Sequence, residues 1–170
     1  MGKGGLIVLR LDEKRALLAH YKAEHGLNIG VETGIYQGGG SLMGLGFDLL
    51  YLLDFQLDNC KEAKVRCPQA IVVCGDSRWT LPTVANRLPG PGLFWLDAHW
   101  VEEYDQELSA SFPCPLLDEL AAIPRNRGHV VLLDDLRLLG NETGWPTLGE
   151  VRAATDGFTV LEADDIMRLT

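Results

Sequence analysis

The sequence predicts an α/β fold: a doubly wound, mostly parallel sheet with an antiparallel C-terminal strand and helices on both faces. Three observations predict it. Short apolar runs recur along the chain and each ends in an acid: 27–31 at Glu32, 49–53 at Asp54, 70–74 at Asp76, 93–96 at Asp97 and 129–133 at Asp134. These runs do not alternate apolar with polar residues, which is the pattern of strands buried on both faces of a parallel sheet. Helix-compatible segments separate them, and two further apolar stretches, 157–163 and 166–169, close the chain as an antiparallel edge.

The helical segments follow in order. Residues 12–24 group Ala16, Leu17, Ala19 and His20 at helical spacing, with Gly26 as the stop. Residues 41–47 predict about two turns capped by Ser41, weakened by Gly44 and Gly46. Residues 57–67 form a short charged helix that Pro68 ends. Residues 81–87 and the amphipathic 116–123 are two more, and 147–154 follows Pro146 with Thr147 as N-cap. In this architecture ligands bind beyond the carboxyl ends of the strands, where the acids fall.

Length and composition fit a single domain over residues 1–170, with 46% hydrophobic and 23% charged residues. A formal net charge of -9 argues against a nucleic-acid partner, which is bound by neutralising phosphates. No apolar run approaches the roughly 20 residues that span a bilayer, so no membrane association is expected. The N-terminal apolar patch is followed at once by charges and lacks the features of a signal peptide. A cytoplasmic setting is the expectation. Cys60, Cys67 and Cys74 are evenly spaced, but no C-x-x-C pair marks a zinc or redox motif. Cys74, inside an apolar run, reads as a buried small hydrophobe.

The first predicted strand leads into Val31-Glu32-Thr33-Gly34-Ile35-Tyr36-Gln37-Gly38-Gly39-Gly40-Ser41. Such a turn lets backbone approach a ligand and opens a helix whose free N–H groups face it. The spacing is not that of the dinucleotide fingerprint, because Gly34 is followed by three other residues. Glu32 would repel a pyrophosphate but suits the amino group of an amino-acid moiety. Asp54 at the second strand end can accept ribose hydroxyls. Gly75-Asp76-Ser77 after the third offers a carboxylate and a hydroxyl to an adenine amino group. Together these positions describe a nucleoside carrying a cationic amino acid.

These residues resemble the class I S-adenosylmethionine-dependent methyltransferases, whose sheet is Rossmann-like. The E-x-G-x-x-x-G turn, Asp54, Gly75-Asp76-Ser77, Phe94-Trp95-Leu96-Asp97-Ala98-His99-Trp100 and Leu132-Leu133-Asp134-Asp135 match in order and spacing, over about residues 28–170. The resemblance implies that Glu32 and Gly34 hold the methionine part of S-adenosylmethionine, Asp54 the ribose, and Asp76 with Ser77 the adenine, with Gly38 also in the cofactor site.

Asp97, Asp134 and Asp135 converge on one edge and repel each other unless a cation or protons intervene. Mg²⁺ prefers such oxygen ligands. Members resembling the catechol and macrocin O-methyltransferases place a divalent metal on one acid after the fourth strand and an adjacent pair after the fifth, which implies Asp97, Asp134 and Asp135 as ligands. Hydrogen-bonded structural acids are the alternative. His99 is a candidate general base, metal ligand or packing residue. Arg137 either neutralises the acid pair or binds an acidic group on the acceptor. Trp100 and Tyr104 are candidates for the acceptor pocket, and residues 101–115 read as an active-site loop.

The expected function is metal-assisted methyl transfer to a small-molecule hydroxyl, a sugar or a phenol. The alternatives are a metal-independent enzyme using His99 or Asp97 as base, and a non-catalytic S-adenosylmethionine-binding module. The chain is short for the family, which predicts a shallow acceptor site or one completed by a homodimer.

Overall fold

The computed structural model describes residues 8–99 and 114–170. Trp100, Tyr104 and residues 101–113 of the expected loop lie outside the described residues. The chain runs α1 (Leu11–Glu24), β1 (Ile29–Thr33), β2 (Leu49–Asp54), α2 (Leu57–Arg66), β3 (Ile71–Cys74), α3 (Ser77–Arg87) and β4 (Leu93–Leu96). After the undescribed segment come α4 (Leu116–Ala122), β5 (Val130–Leu133), α5 (Leu148–Ala154), β6 (Val160–Ala163) and β7 (Ile166–Leu169).

One seven-stranded sheet has the order β3-β2-β1-β4-β5-β7-β6. The β3 to β5 block is parallel, and β7 runs antiparallel to both β5 and β6. β1, β4, β5 and β7 are buried along their whole length, which is why their sequences read as continuous apolar runs. α3, α4 and α5 cover one face, where Leu81, Leu120 and Val151 meet Phe94, Val131 and Met167. α1, α2 and the β1–β2 connection cover the other, where Leu18, Ala63 and Ile35 meet Trp95, Leu52 and Leu132.

The chain leaves β1 for β2 and β3 on one side and returns to β4 and β5 on the other. This reversal opens a crevice at the carboxyl ends of β1 and β4.

Two expectations are corrected. Residues 41–47 form turns, not a helix. Gly44 and Gly46 take φ of 74° and 71°, a left-handed conformation that interrupts helical hydrogen bonding. The connection carries a single 3₁₀ turn, Tyr36–Gly38, with Gln37 at φ 50°. Cys74 is exposed, not buried, because β3 is an edge strand. The Thr147 cap holds: its hydroxyl accepts from Glu150 N while Glu150 bonds back to Thr147 N. Among the described residues no helix is long and apolar enough to cross a membrane.

Candidate active site

A cleft of about 580 Å³ opens at the switch point. It gathers Glu32, Gly34, Asp54, Asp76, Ser77, Asp97, His99 and Asp135 from the ends of all five parallel strands. Gly38 and Asp134 are not among its lining residues.

At the β1 end the structure uses the glycine-rich segment differently from a helix N-terminus. Glu32 is 1% exposed, and its carboxylate accepts from Ser41 N at 2.5 Å and Leu42 N at 2.9 Å. It therefore pins the loop that carries the glycines while bordering the cleft. Burial pushes its carboxyl up to about 7, against the pull of those two N–H groups. Gly34 has φ 78°, and a Cβ there would overlap the Asp97 carbonyl oxygen. Gly38 packs against Glu62 of α2.

Asp54 holds the same loop from β2. One carboxylate oxygen accepts from Ile35 N at 2.8 Å, and the other from Gln56 N at 2.7 Å and Asn59 Nδ2 at 3.2 Å. Asn59 in turn accepts from Gln37 N at 3.1 Å. Asp76 caps α3 by accepting from Arg78 N and pairs with the Arg78 guanidinium, which holds its carboxyl below the usual range.

The β4 and β5 ends carry the densest charge. His99 Nε2 lies 3.2 Å from Asp135 Oδ2 and 3.8 Å from Asp97 Oδ1. Asp135 sits at φ 60° and ψ 41°, a conformation costly for a residue with a Cβ. Arg137 Nη1 donates to Asp135 Oδ1 at 2.5 Å and also to Asp165 from the β6–β7 turn. Burial alone would raise the Asp135 carboxyl, but the His99 and Arg137 hydrogen bonds outweigh it and hold it at about 2. Asp97 is pushed well above the ordinary range by burial first and by Asp134 second.

Asp134 turns away from this group. Its carboxylate pairs with the Lys14 ammonium of α1, with side-chain exposures of 1% and 17%. Burial lowers the Lys14 pKa, but the carboxylates of Asp134, Asp97 and Asp135 outweigh it and keep the ammonium charged. The protein thus supplies its own cations, Lys14 and Arg137, to the acid cluster. The donor atoms that do converge, within 4.8 Å of one another, belong to Asp97, His99 and Asp135. Two carboxylates and an imidazole fit a divalent ion, with the imidazole favouring transition metals over Mg²⁺.

Glu119 of α4 was not visible as a site residue in the sequence. It is 1% exposed and neither carboxylate oxygen has a hydrogen bond of good geometry, although the Thr33 and Ser77 hydroxyls lie close by. The available signal is its place among Leu116, Leu120 and Ile123, on the apolar face of the helix. Burial pushes its carboxyl up to about 7. In the unfolded chain it titrates near 4.5, so the folded state keeps its proton longer. Stability then falls as pH rises from about 4.5 to about 7 and is flat above. Glu119→Gln is expected to remove this loss. Urea unfolding should show no gain at pH 4 and a gain of about 3 kcal/mol at pH 8.

The sheet order, the switch-point cleft and the acids on the strand ends define the fold of class I S-adenosylmethionine-dependent methyltransferases. The solved structures that share it include an O-methyltransferase from Bacillus cereus in complex with S-adenosylhomocysteine, at 14% identity and TM-score 0.59 over 95% of this chain and 82% of that one. The N-methyltransferase NodS from Bradyrhizobium japonicum WM9 matches at 11% identity and TM-score 0.60, over 93% of both chains. The O-methyltransferase TomG from Streptomyces achromogenes, involved in tomaymycin synthesis and solved with S-adenosylmethionine, matches at 15% identity and TM-score 0.58, over 96% of this chain and 80% of that one. No protein-family model matches the chain, and no curated protein matches it.

Proposed function

We propose that this chain is an S-adenosylmethionine-dependent methyltransferase acting on a hydroxyl of a small molecule. The observation that carries the reading is the arrangement of one cleft. Glu32, Asp54 and Asp76 line it beside a glycine turn that no Cβ can enter, and His99 stands between two carboxylates within it. A cationic nucleoside suits these charges, and the neighbours crystallised with S-adenosylmethionine or its demethylated product favour it. The acid lining and the net charge of -9 favour a small neutral or cationic acceptor over a nucleic acid.

When bound, S-adenosylmethionine supplies an electrophilic methyl group on its sulfonium. Asp54 and Asp76 hold the nucleoside, and Glu32 keeps the loop against it. With Nε2–H donated to Asp135, His99 takes the acceptor proton at Nδ1 as the new carbon–oxygen bond forms. Asp135, held ionised by Arg137, stabilises the imidazolium that results. Asp97 borders the acceptor side and closes the cleft floor through its contact with Gly34.

Calorimetry tests the cofactor. S-adenosylhomocysteine should bind, and Asp54→Ala should weaken binding about 10- to 100-fold by removing a charged acceptor. A folded wild-type protein that gives no heat overturns the reading.

A second reading, metal assistance, is favoured by the convergence of Asp97, His99 and Asp135. A divalent ion held there would lower the pKa of the acceptor hydroxyl. The Lys14 contact takes Asp134 out of that set. Titration with Mn²⁺ should therefore show binding that Asp135→Asn abolishes and Asp134→Asn leaves within about threefold. Loss in the Asp134 variant as well as the Asp135 variant would restore the ligand set expected from the sequence.

A further inference from the structure

Two of the three evenly spaced cysteines meet at the nucleoside end of the cleft. Cys74 ends β3, in register with Asp54 of β2, and Cys60 lies in the first turn of α2 above it. Their thiols bond to adjacent backbone carbonyls: Cys60 Sγ donates to the Asp54 carbonyl at 3.4 Å, and Cys74 Sγ to the Phe55 carbonyl at 3.9 Å. Cys60 is buried and Cys74 is exposed. One thiol is open to a reagent, and the other waits behind it.

We propose that Cys60 and Cys74 form a reversible disulfide site whose closure loosens the nucleoside end of the cleft. The closure is chemically self-contained with a small disulfide as oxidant. The exposed Cys74 thiolate attacks that disulfide, forms a mixed disulfide and releases one small thiolate. Cys60, once deprotonated, attacks the Cys74 sulfur, forms the Cys60–Cys74 bond and expels the second small thiolate. The two protein thiols lose two electrons and two protons, and the small disulfide gains them as two thiols. Burial first, and Cys74 second, push the Cys60 thiol up to about 12, so its deprotonation limits the second attack. A thiolate of high pKa is the stronger nucleophile once formed, so closure speeds up as pH rises.

The consequence for the cleft follows from the contacts. Closure draws the sulfurs to about 2.05 Å and removes both S–H donors. The Asp54 carbonyl keeps Gly75 N but loses the Cys60 thiol, and the Phe55 carbonyl loses the Cys74 thiol. The first turn of α2 shifts, and with it Asn59, the neighbour of Cys60. Asn59 is the side chain that joins the Asp54 carboxylate to Gln37 N of the glycine loop. One covalent bond therefore perturbs both sides of the ribose position. This effect on affinity rests on the cofactor reading above; the disulfide itself does not.

The test treats the full-length protein with oxidised glutathione and reads intact mass, peptide mass and S-adenosylhomocysteine affinity before and after dithiothreitol. Wild type should lose two hydrogens, show a Cys60–Cys74 linked peptide, and bind S-adenosylhomocysteine at least tenfold more weakly until reduced. Cys60→Ser should stall as a single glutathione adduct on Cys74. Cys74→Ser should take up no glutathione at Cys60. A stable adduct on wild-type Cys74 with no ring closure, or a link through Cys67 or Cys114, overturns the site. Closure with unchanged affinity overturns its effect on the cleft. A reduced protein that binds no S-adenosylhomocysteine overturns the cofactor reading alone, because the mass readout still decides the disulfide.

Discussion

Lys14→Met is expected to destabilise the protein by about 3 kcal/mol at pH 8, because it leaves Asp134 buried without its counter-charge. The loss depends on pH in a defined direction. The folded-state pKa of Asp134 is already raised by burial and by Asp135, and removing the ammonium raises it further. An acid whose folded pKa is raised destabilises the fold above its unfolded value and ceases to do so once it is protonated. The cost of Lys14→Met should therefore shrink toward pH 5. Urea unfolding at both pH values checks this, and the double variant Lys14→Met/Asp134→Asn should recover most of the stability at pH 8. A cost that is the same at both pH values would mean that Lys14 acts through packing on Trp95, where its ammonium lies 5.9 Å from the ring centroid.

Gly34→Ala is expected to be the most damaging change in the cleft. The position requires φ of 78°, and the added methyl would meet the Asp97 carbonyl and the Ala98 backbone, which are not free to move as a side-chain tip is. Backbone strain of about 1–3 kcal/mol adds to overpacking of about 1–3 kcal/mol. Thermal unfolding should show a destabilisation of about 3 kcal/mol, and any folded fraction should bind S-adenosylhomocysteine far more weakly. Gly46→Ala is the control for strain alone, because φ is 71° there and nothing lies within 4 Å of the added methyl. It should cost about 1 kcal/mol and leave binding intact.

The parallel core was legible because burial on both faces writes itself as unbroken apolar runs, and β4 and β7 were bounded to the residue. The β1–β2 connection was misread for a local reason. Ser41 looks like an N-cap, but the N–H groups of residues 41 and 42 are taken by Glu32, nine and ten positions upstream, and glycines at positive φ then turn the chain. The strand-end acids were legible as a set, since topology alone carries them to one edge. Their division was not. Asp134 and Asp135 are adjacent in sequence, yet one faces Lys14 and the other faces His99 and Arg137, because the backbone turns left-handed at Asp135. Lys14 lies 120 residues from its partner, in a helix of ordinary composition, so no local pattern marks it. The Cys60–Cys74 meeting was hidden in the same way, by the crossing of α2 over the ends of β2 and β3.

If one cleft at the β1/β4 switch point binds S-adenosylmethionine with its methyl directed at the β4 and β5 ends, a crystal structure with S-adenosylhomocysteine will show it. Ribose hydroxyls are expected at Asp54, the adenine at Asp76 and Ser77, and the sulfur facing Asp97 and His99. Density for the ligand elsewhere on the surface, or an empty cleft at saturating ligand, overturns the proposed binding mode.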